Sequence, residues 1–148
     1  MNIKEFSKIS GISSYTLRYY EKIGIFQEIR RNASGHRDFT EKDLLWAEFI
    51  NRLKETGMPL EKIKKYALLR QQGESTANAR KNLLEDHASV LKNKISEEKK
   101  HLRKIKEKIE YYEKVILEKK LLDLELTLTC KLFPQVNPNS SQEKQHEK

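Results

Sequence analysis

The sequence predicts a mostly α protein: a winged helix-turn-helix head with a small β-hairpin wing, followed by one long helix carrying a coiled-coil seam. Three observations predict it. Two short helical patterns meet at a glycine-containing turn near the N-terminus. A basic, turn-rich stretch without helical period follows them. From Leu84 to Ile116, apolar residues then recur at alternating steps of four and three.

The first pattern begins at Asn2, which with Glu5 has the spacing of a capping box. Phe6 and Ile9 share a face, with Ile3 behind them. Gly11 breaks the pattern, Ile12 fills the turn, and Ser13 is a good N-cap for a second helix to about Lys22. Leu17 and Tyr20 continue the apolar face. Gly24 ends this helix, and Asn32, Ser34 and Gly35 mark a turn within Phe26 to Phe39, read as a two-stranded hairpin. Thr40 with Asp43 opens a third helix, with Trp46, Phe49, Ile50 and Leu53 as its inner stripe. Gly57 stops it. Pro59 lies at the first turn of a fourth helix, where its missing N–H costs little, and Leu60, Ile63 and Ala67 face inward. Gly73 ends that helix, and Thr76 is placed to cap the fifth.

The long seam runs Leu84, Ala88, Leu91, Ile95, Glu98, Leu102, Ile105, Ile109, Tyr112 and Ile116. As a helix this stretch spans roughly 50 Å, too long a rod for a small domain to bury. A second chain is the expected partner, and the competing reading is a charged helix folded back on its own head. Glu98 costs stability on the seam and suits a register-setting role. Past Ile116 the seam meets Lys119 and Asp123. Leu122, Leu124, Leu126 and Leu128 alternate with polar residues there, so a strand and a helical continuation both fit. Pro134 and Pro138 punctuate the end, and the polar residues from Pro138 onward read as disordered. The expected division is therefore a head at 1–73, a dimerisation helix at 76–120 and a short, partly disordered tail at 121–148.

Composition limits the function. Charged residues are 35% of the 148 and hydrophobic residues 36%, which suits long solvated helices better than one globule. The net charge of +8 favours an anionic partner, nucleic acid or a membrane surface. No run of apolar residues is long enough to span a bilayer, and the N-terminus MNIKEFSKI lacks a signal peptide's apolar stretch. A cytoplasmic protein without a membrane partner is expected. The single cysteine, Cys130, makes no internal disulfide and alone is a poor metal ligand. No Gly-rich phosphate loop, paired carboxylate site or Cys/His nucleophile pair points to an enzyme, and no cofactor or metal is expected.

The second helix instead has residues that suit a DNA groove. Ser14, Tyr15, Arg18, Tyr19 and Lys22 lie off its apolar face. Arg18 can bond a guanine edge or a phosphate, and the tyrosines can donate to phosphate oxygens. Arg30, Arg31, His36 and Arg37 on the hairpin would reach the flanking backbone and release counterions.

Taken together, TLRYYEKIGIF, the basic stretch with GHRDF, TEKDL and GMPLEKIK resemble, in order and spacing, the MerR family of transcription regulators over about residues 1–120. The resemblance implies a homodimer joined by an antiparallel coiled coil. It also implies double-stranded promoter DNA as partner, bent and untwisted so that RNA polymerase finds its two elements in register. Thr16, Arg18, Tyr19 and Tyr20 match the family's recognition run. Arg37 and Phe39 match its wing, where many members have Tyr in place of Phe39. Gly57 and Met58 begin a segment, to Leu60, that presents backbone N–H groups to phosphate. The seam residues Leu84, Leu91, Ile95, Leu102, Ile105, Ile109, Tyr112 and Ile116 are the expected dimer contacts.

GESTANARKNLLEDH is similar to a short-chain subgroup, some of whose members respond to reactive aldehydes. The third-helix cysteine several of them carry is missing: the stretch here is Phe49, Ile50, Asn51, Arg52, Leu53. Metal-sensing relatives place a cysteine near the start of the long helix, and Ser75 to His87 holds none. His87 and His101 read as solvated. Cys130 beside Lys131 is either a reactive thiol or a small apolar filler. A small-molecule effector remains open. The alternative to a regulator is a coiled-coil architectural or adaptor protein that binds nucleic acid without sequence preference.

Overall fold

Asn2 opens the first helix through the expected reciprocal cap. Its side chain accepts from the amide of Glu5 at 2.9 Å, and the Glu5 carboxylate accepts from the Asn2 amide at 3.2 Å. In this computed structural model, which describes residues 1–133, helix α1 spans Ile3–Ser10. Gly11 ends it at φ 74°, a left-handed conformation that glycine adopts without strain. Ser13 caps α2, Ser14–Lys22. Thr40 and Asp43 form a second capping box for α3, Glu41–Glu55. Pro59 is the N-cap of α4, Leu60–Gln71, one position earlier than the sequence placed it. A single 3-10 turn, Glu74–Thr76, leads into α5, Ala77–Leu132. Thr76 does not cap α5: its hydroxyl lies 2.5 Å from the carbonyl of Leu69 and 2.8 Å from that of Gly73, at the end of α4.

The hairpin wing is not formed. Between α2 and α3 the only β-type pairing among the described residues is one bridge, Arg31 with Arg37. The tip is instead an Asn-centred turn, with the Asn32 side chain accepting from the amides of Ser34 and His36, each at 3.0 Å. Strands have no room to grow outward from that bridge. Glu28 sits at φ 56°, which interrupts extended backbone on one side. On the other side, Phe39 must enter the core and Thr40 must begin α3.

Two units make up the chain, residues 1–95 and residues from 96 onward. The core lies in the first. Phe6 stacks on Phe39 with centroids 4.2 Å apart, and Phe26 meets both edge-on at 6.2 and 6.4 Å. Leu17, Tyr20, Ile25, Ile50, Leu53, Met58 and Ile63 close around them. Trp46 is anchored by its indole N–H, which donates to the carbonyl of Ile25 at 2.9 Å. Asn51 donates to the Ser10 carbonyl at 2.8 Å, tying α3 to the end of α1. The first turns of α5 belong to this unit too. Leu83 and Leu84 pack on the core, and His87 Nε2 lies 2.8 Å from the Thr56 hydroxyl at the end of α3. His87 is therefore a docked histidine, not the solvated one the sequence suggested.

In the second unit α5 is uninterrupted to Leu132 and every described side chain is exposed. The stretch 122–128 is helical, so the strand alternative does not hold. The expected disorder from Pro138 lies outside the described residues. No described helix is long and apolar enough to cross a membrane.

Candidate nucleic-acid interface

Helix α2 has its direction set by two buried side chains. Leu17 and Tyr20, three apart, lock one face into the core. At 3.6 residues per turn, the opposite face must then carry Tyr15, Arg18, Tyr19 and Lys22 outward. Tyr15 is 81% exposed, Tyr19 is 44% exposed, and Arg18 and Lys22 are exposed. Among the described residues neither Arg18 nor Lys22 pairs with a carboxylate, so both cations face solvent with their donors available. Ser14 is half-buried. Thr16 is turned back to the cap, where its hydroxyl accepts from Ser13 Oγ at 2.8 Å.

The arginines of the basic loop are held by acidic residues that sequence reasoning missed. Glu21, in the last turn of α2, accepts from Arg31 Nη2 at 2.8 Å through one oxygen and from Arg37 Nε through the other. Asp38 takes the terminal ammonium of Met1 at 3.0 Å and Arg30 on its second oxygen. Those hydrogen bonds hold the Asp38 carboxyl below the usual range, the ammonium first and the Arg30 guanidinium next. Pairs this open to solvent contribute little to stability by themselves. Their value is positional: they fix the loop beside the end of α2 while Arg30, Arg31 and His36 remain exposed. Nothing local in the sequence announced these pairs, whose members lie ten and sixteen residues apart for Glu21 and eight for Arg30 with Asp38.

Three predicted site residues lie in the core instead. Tyr20, Phe39 and Met58 are 3%, 2% and 4% exposed, and their side chains are consumed by packing. Phe39, which has no hydroxyl to offer a phosphate, instead stacks on Phe6. The amides of Gly57 and Met58 are also spent, on the carbonyls of Lys54 and Leu53 at 3.0 and 2.9 Å. The donors left at this end of α4 are those of Leu60 and Glu61, in a helix's first turn without an intrahelical acceptor. Of the expected dimer contacts in the first unit, Leu84 and Leu91 are half-buried, while Ile95 is exposed. Those of the second, Leu102, Ile105, Ile109, Tyr112 and Ile116, are each half or more exposed. No group of three His, Cys, Asp or Glu residues able to hold a metal occurs among the described residues.

Two short helices at a glycine turn, the second presenting an unpaired polar face flanked by a basic loop, define a helix-turn-helix protein. Residues 1–81 match the MerR HTH family regulatory proteins, and the chain belongs to that family. It is 40% identical over 91 residues to the HTH-type transcriptional regulator AdhR of Bacillus subtilis, a stretch covering 62% of this chain and 65% of that regulator. A putative MerR family regulator from Listeria monocytogenes has a similar structure, with a TM-score of 0.78 at 36% identity, covering 86% of this chain and 98% of that one. HiNmlR, a MerR family regulator lacking the sensor domain and solved bound to promoter DNA, superposes with a TM-score of 0.69 at 36% identity. That match covers 76% of this chain and 90% of HiNmlR.

Proposed function

We propose that the protein is a homodimeric transcriptional regulator that reads double-stranded promoter DNA with α2. The observation that carries this reading is the outer face of α2, where Arg18, between two exposed tyrosines, and Lys22 beyond them stand without a counter-charge among the described residues. Arg18 is placed to read a base edge, while Tyr15, Tyr19 and Lys22 hold the backbone. Arg30, Arg31 and His36 would follow the flanking phosphates, and the first-turn amides of Leu60 and Glu61 would bind another at a helix N-terminus. The promoter-bound state of HiNmlR supports this mode over that of a non-specific adaptor.

Pairing rests on α5. Apolar side chains at Ile95, Leu102, Ile105, Ile109, Tyr112 and Ile116 stand exposed in a single chain, and a second α5 in antiparallel register would cover them. Two heads joined this way bind two half-sites and distort the spacer between them for RNA polymerase. The chemistry of the DNA face is binding, not catalysis. The expected domain division, 1–73, 76–120 and 121–148, assigns DNA reading to the first part and pairing to the second.

The test is a gel-shift competition on DNA from upstream of the protein's own gene. The protein should prefer a fragment with a palindromic spacer over random DNA of equal length. Arg18→Ala should weaken promoter binding by more than about tenfold, on the order of 1–3 kcal/mol. Equal affinity for the two DNAs, or an unchanged Arg18→Ala variant, would remove α2 as the reading element.

A further inference from the structure

A concavity of about 340 Å³ in the first unit is lined by Lys42, Leu45, Trp46, Phe49, Tyr66, Arg70 and Arg80. It draws on α3, α4 and the start of α5. Its floor is aromatic: Trp46 and Tyr66 stack at 5.9 Å, with Phe49 at 6.0 and 5.5 Å from them. Three cations stand around that floor, and the lining holds no carboxylate. Among the described residues none of the three cations forms an ion pair.

The two guanidiniums are held in place without being neutralised. Arg70 lies over the Trp46 ring at 4.4 Å. A contact of this kind does not consume N–H groups, and among the described residues none of those of the Arg70 side chain is engaged in an ion pair. Arg80 donates from Nε to the Thr76 hydroxyl at 3.1 Å and from Nη2 to the Gly73 carbonyl at 3.3 Å, both uncharged acceptors. Three like charges over a low-dielectric aromatic surface repel one another, and an anion relieves that repulsion. The volume is at the lower end for small-molecule sites, enough for a ring but not for a large drug.

We propose that this concavity binds a small organic carboxylate with a ring-sized apolar body. The carboxylate accepts from Arg70 and Lys42, with Arg80 behind them, and the ring lies against Phe49, Tyr66 and Leu45. An inorganic anion would leave the apolar floor wet, and a neutral ring would leave the cations unpaired. The site also has a route to the DNA face. The indole of Trp46 that forms the floor donates to the carbonyl of Ile25, where the chain leaves α2 for the basic loop. A ligand that shifts Trp46 therefore acts on the segment that positions Arg30 and Arg31. This second step, an effector acting on DNA binding, rests on the regulator reading above; the binding site itself does not.

Trp46 is the single tryptophan of the chain, so indole fluorescence comes from the floor of this site. Full-length protein titrated with benzoate should give a saturable change in Trp46 emission, while benzamide, of the same shape and uncharged, and acetate, without the ring, should not. Lys42→Gln, an exposed change at the first turn of α3, should weaken benzoate binding at least about tenfold with the fold intact. Arg70→Gln should do the same. Promoter DNA added to the same sample should change the benzoate affinity, and benzoate should change the DNA affinity by the same factor.

A titration with no saturation by about 10 mM overturns the site. So does benzamide binding as tightly as benzoate, or unchanged affinity in Lys42→Gln. Wild-type protein that shows no benzoate response, together with a Lys42→Gln variant that loses DNA affinity, would make the cluster a phosphate contact instead. Benzoate binding that leaves DNA affinity unaltered overturns the effector step alone. Intact promoter binding without any benzoate response discards the pocket and keeps the regulator.

Discussion

Two carboxylates, Glu21 and Asp38, organise the basic loop more than the loop's own backbone does. Each takes two cations, one per oxygen, and each joins segments distant in sequence. The consequence is testable through pH. Asp38 has its carboxyl held below the ordinary value, first by the Met1 ammonium and then by Arg30. A group depressed in the folded state stabilises the fold above its unfolded pKa of about 4, and that contribution is lost as pH falls through the folded pKa. Asp38→Asn should therefore lower the thermal midpoint at neutral pH and flatten its decline below about pH 4. Midpoints measured at several pH values check this; parallel curves for the two proteins would show that Asp38 has no such linkage. The residue scale also separates what the recognition run does. Arg18 and Tyr19 face outward while Tyr20 is interior, although all three sit in one run, because α2 turns successive residues by about 100°.

At the element scale, the helix starts follow from local chemistry. Asn2, Ser13 and Thr40 each bond an orphan amide of the turn they precede. Thr40→Ala should cost about 1 kcal/mol, visible as a lower denaturant midpoint, because the amide of Asp43 loses its acceptor while the Thr40 amide still donates to the Asp43 carboxylate. A midpoint within error of wild type would mean that packing of Trp46 and Ile50 alone sets the start of α3. The end of α5 teaches a different lesson. Leu122, Leu124, Leu126 and Leu128 alternate, which reads as a strand in isolation. Leu117, Leu121, Leu124, Leu128 and Leu132, however, recur at steps of four and three, one residue out of phase with the seam that ends at Ile116. Period two and period 3.6 overlap in so leucine-rich a run, and the helix already under way prevails since continuing it adds hydrogen bonds without a new nucleus.

At the scale of the whole molecule, the uneven burial of the chain is the main fact. Every fully buried side chain belongs to residues 1–95, and the described residues from 96 onward contribute none. On the proposed homodimer, a helix with such a row of exposed isoleucines and leucines would gain most of its stability from the second chain. The thermal midpoint should then rise with protein concentration, as mass action requires of a dimer. Ile105→Lys should abolish that rise and sediment as a monomer. A variant that stays dimeric would place the interface elsewhere than the seam. The matching DNA prediction is that this monomer loses promoter affinity far more than it loses binding to one half-site, since joining two heads makes the second contact intramolecular.

The sequence by itself determined the first four helices, the caps of α1, α2 and α3, and the residues facing outward on α2, because capping and periodicity are local and act over three or four positions. It also determined the family, through ordered motifs. Tertiary structure decided the rest. It replaced the hairpin with a single bridge, because Ile29 and Phe39 had to enter the core on either side of the turn. It put Phe39 and Met58 inside, docked His87 on Thr56, and gathered Lys42, Arg70 and Arg80 around Trp46. Each of these joins residues from different elements. Such encounters are set by how the helices pack, and no window of three or four positions contains both partners.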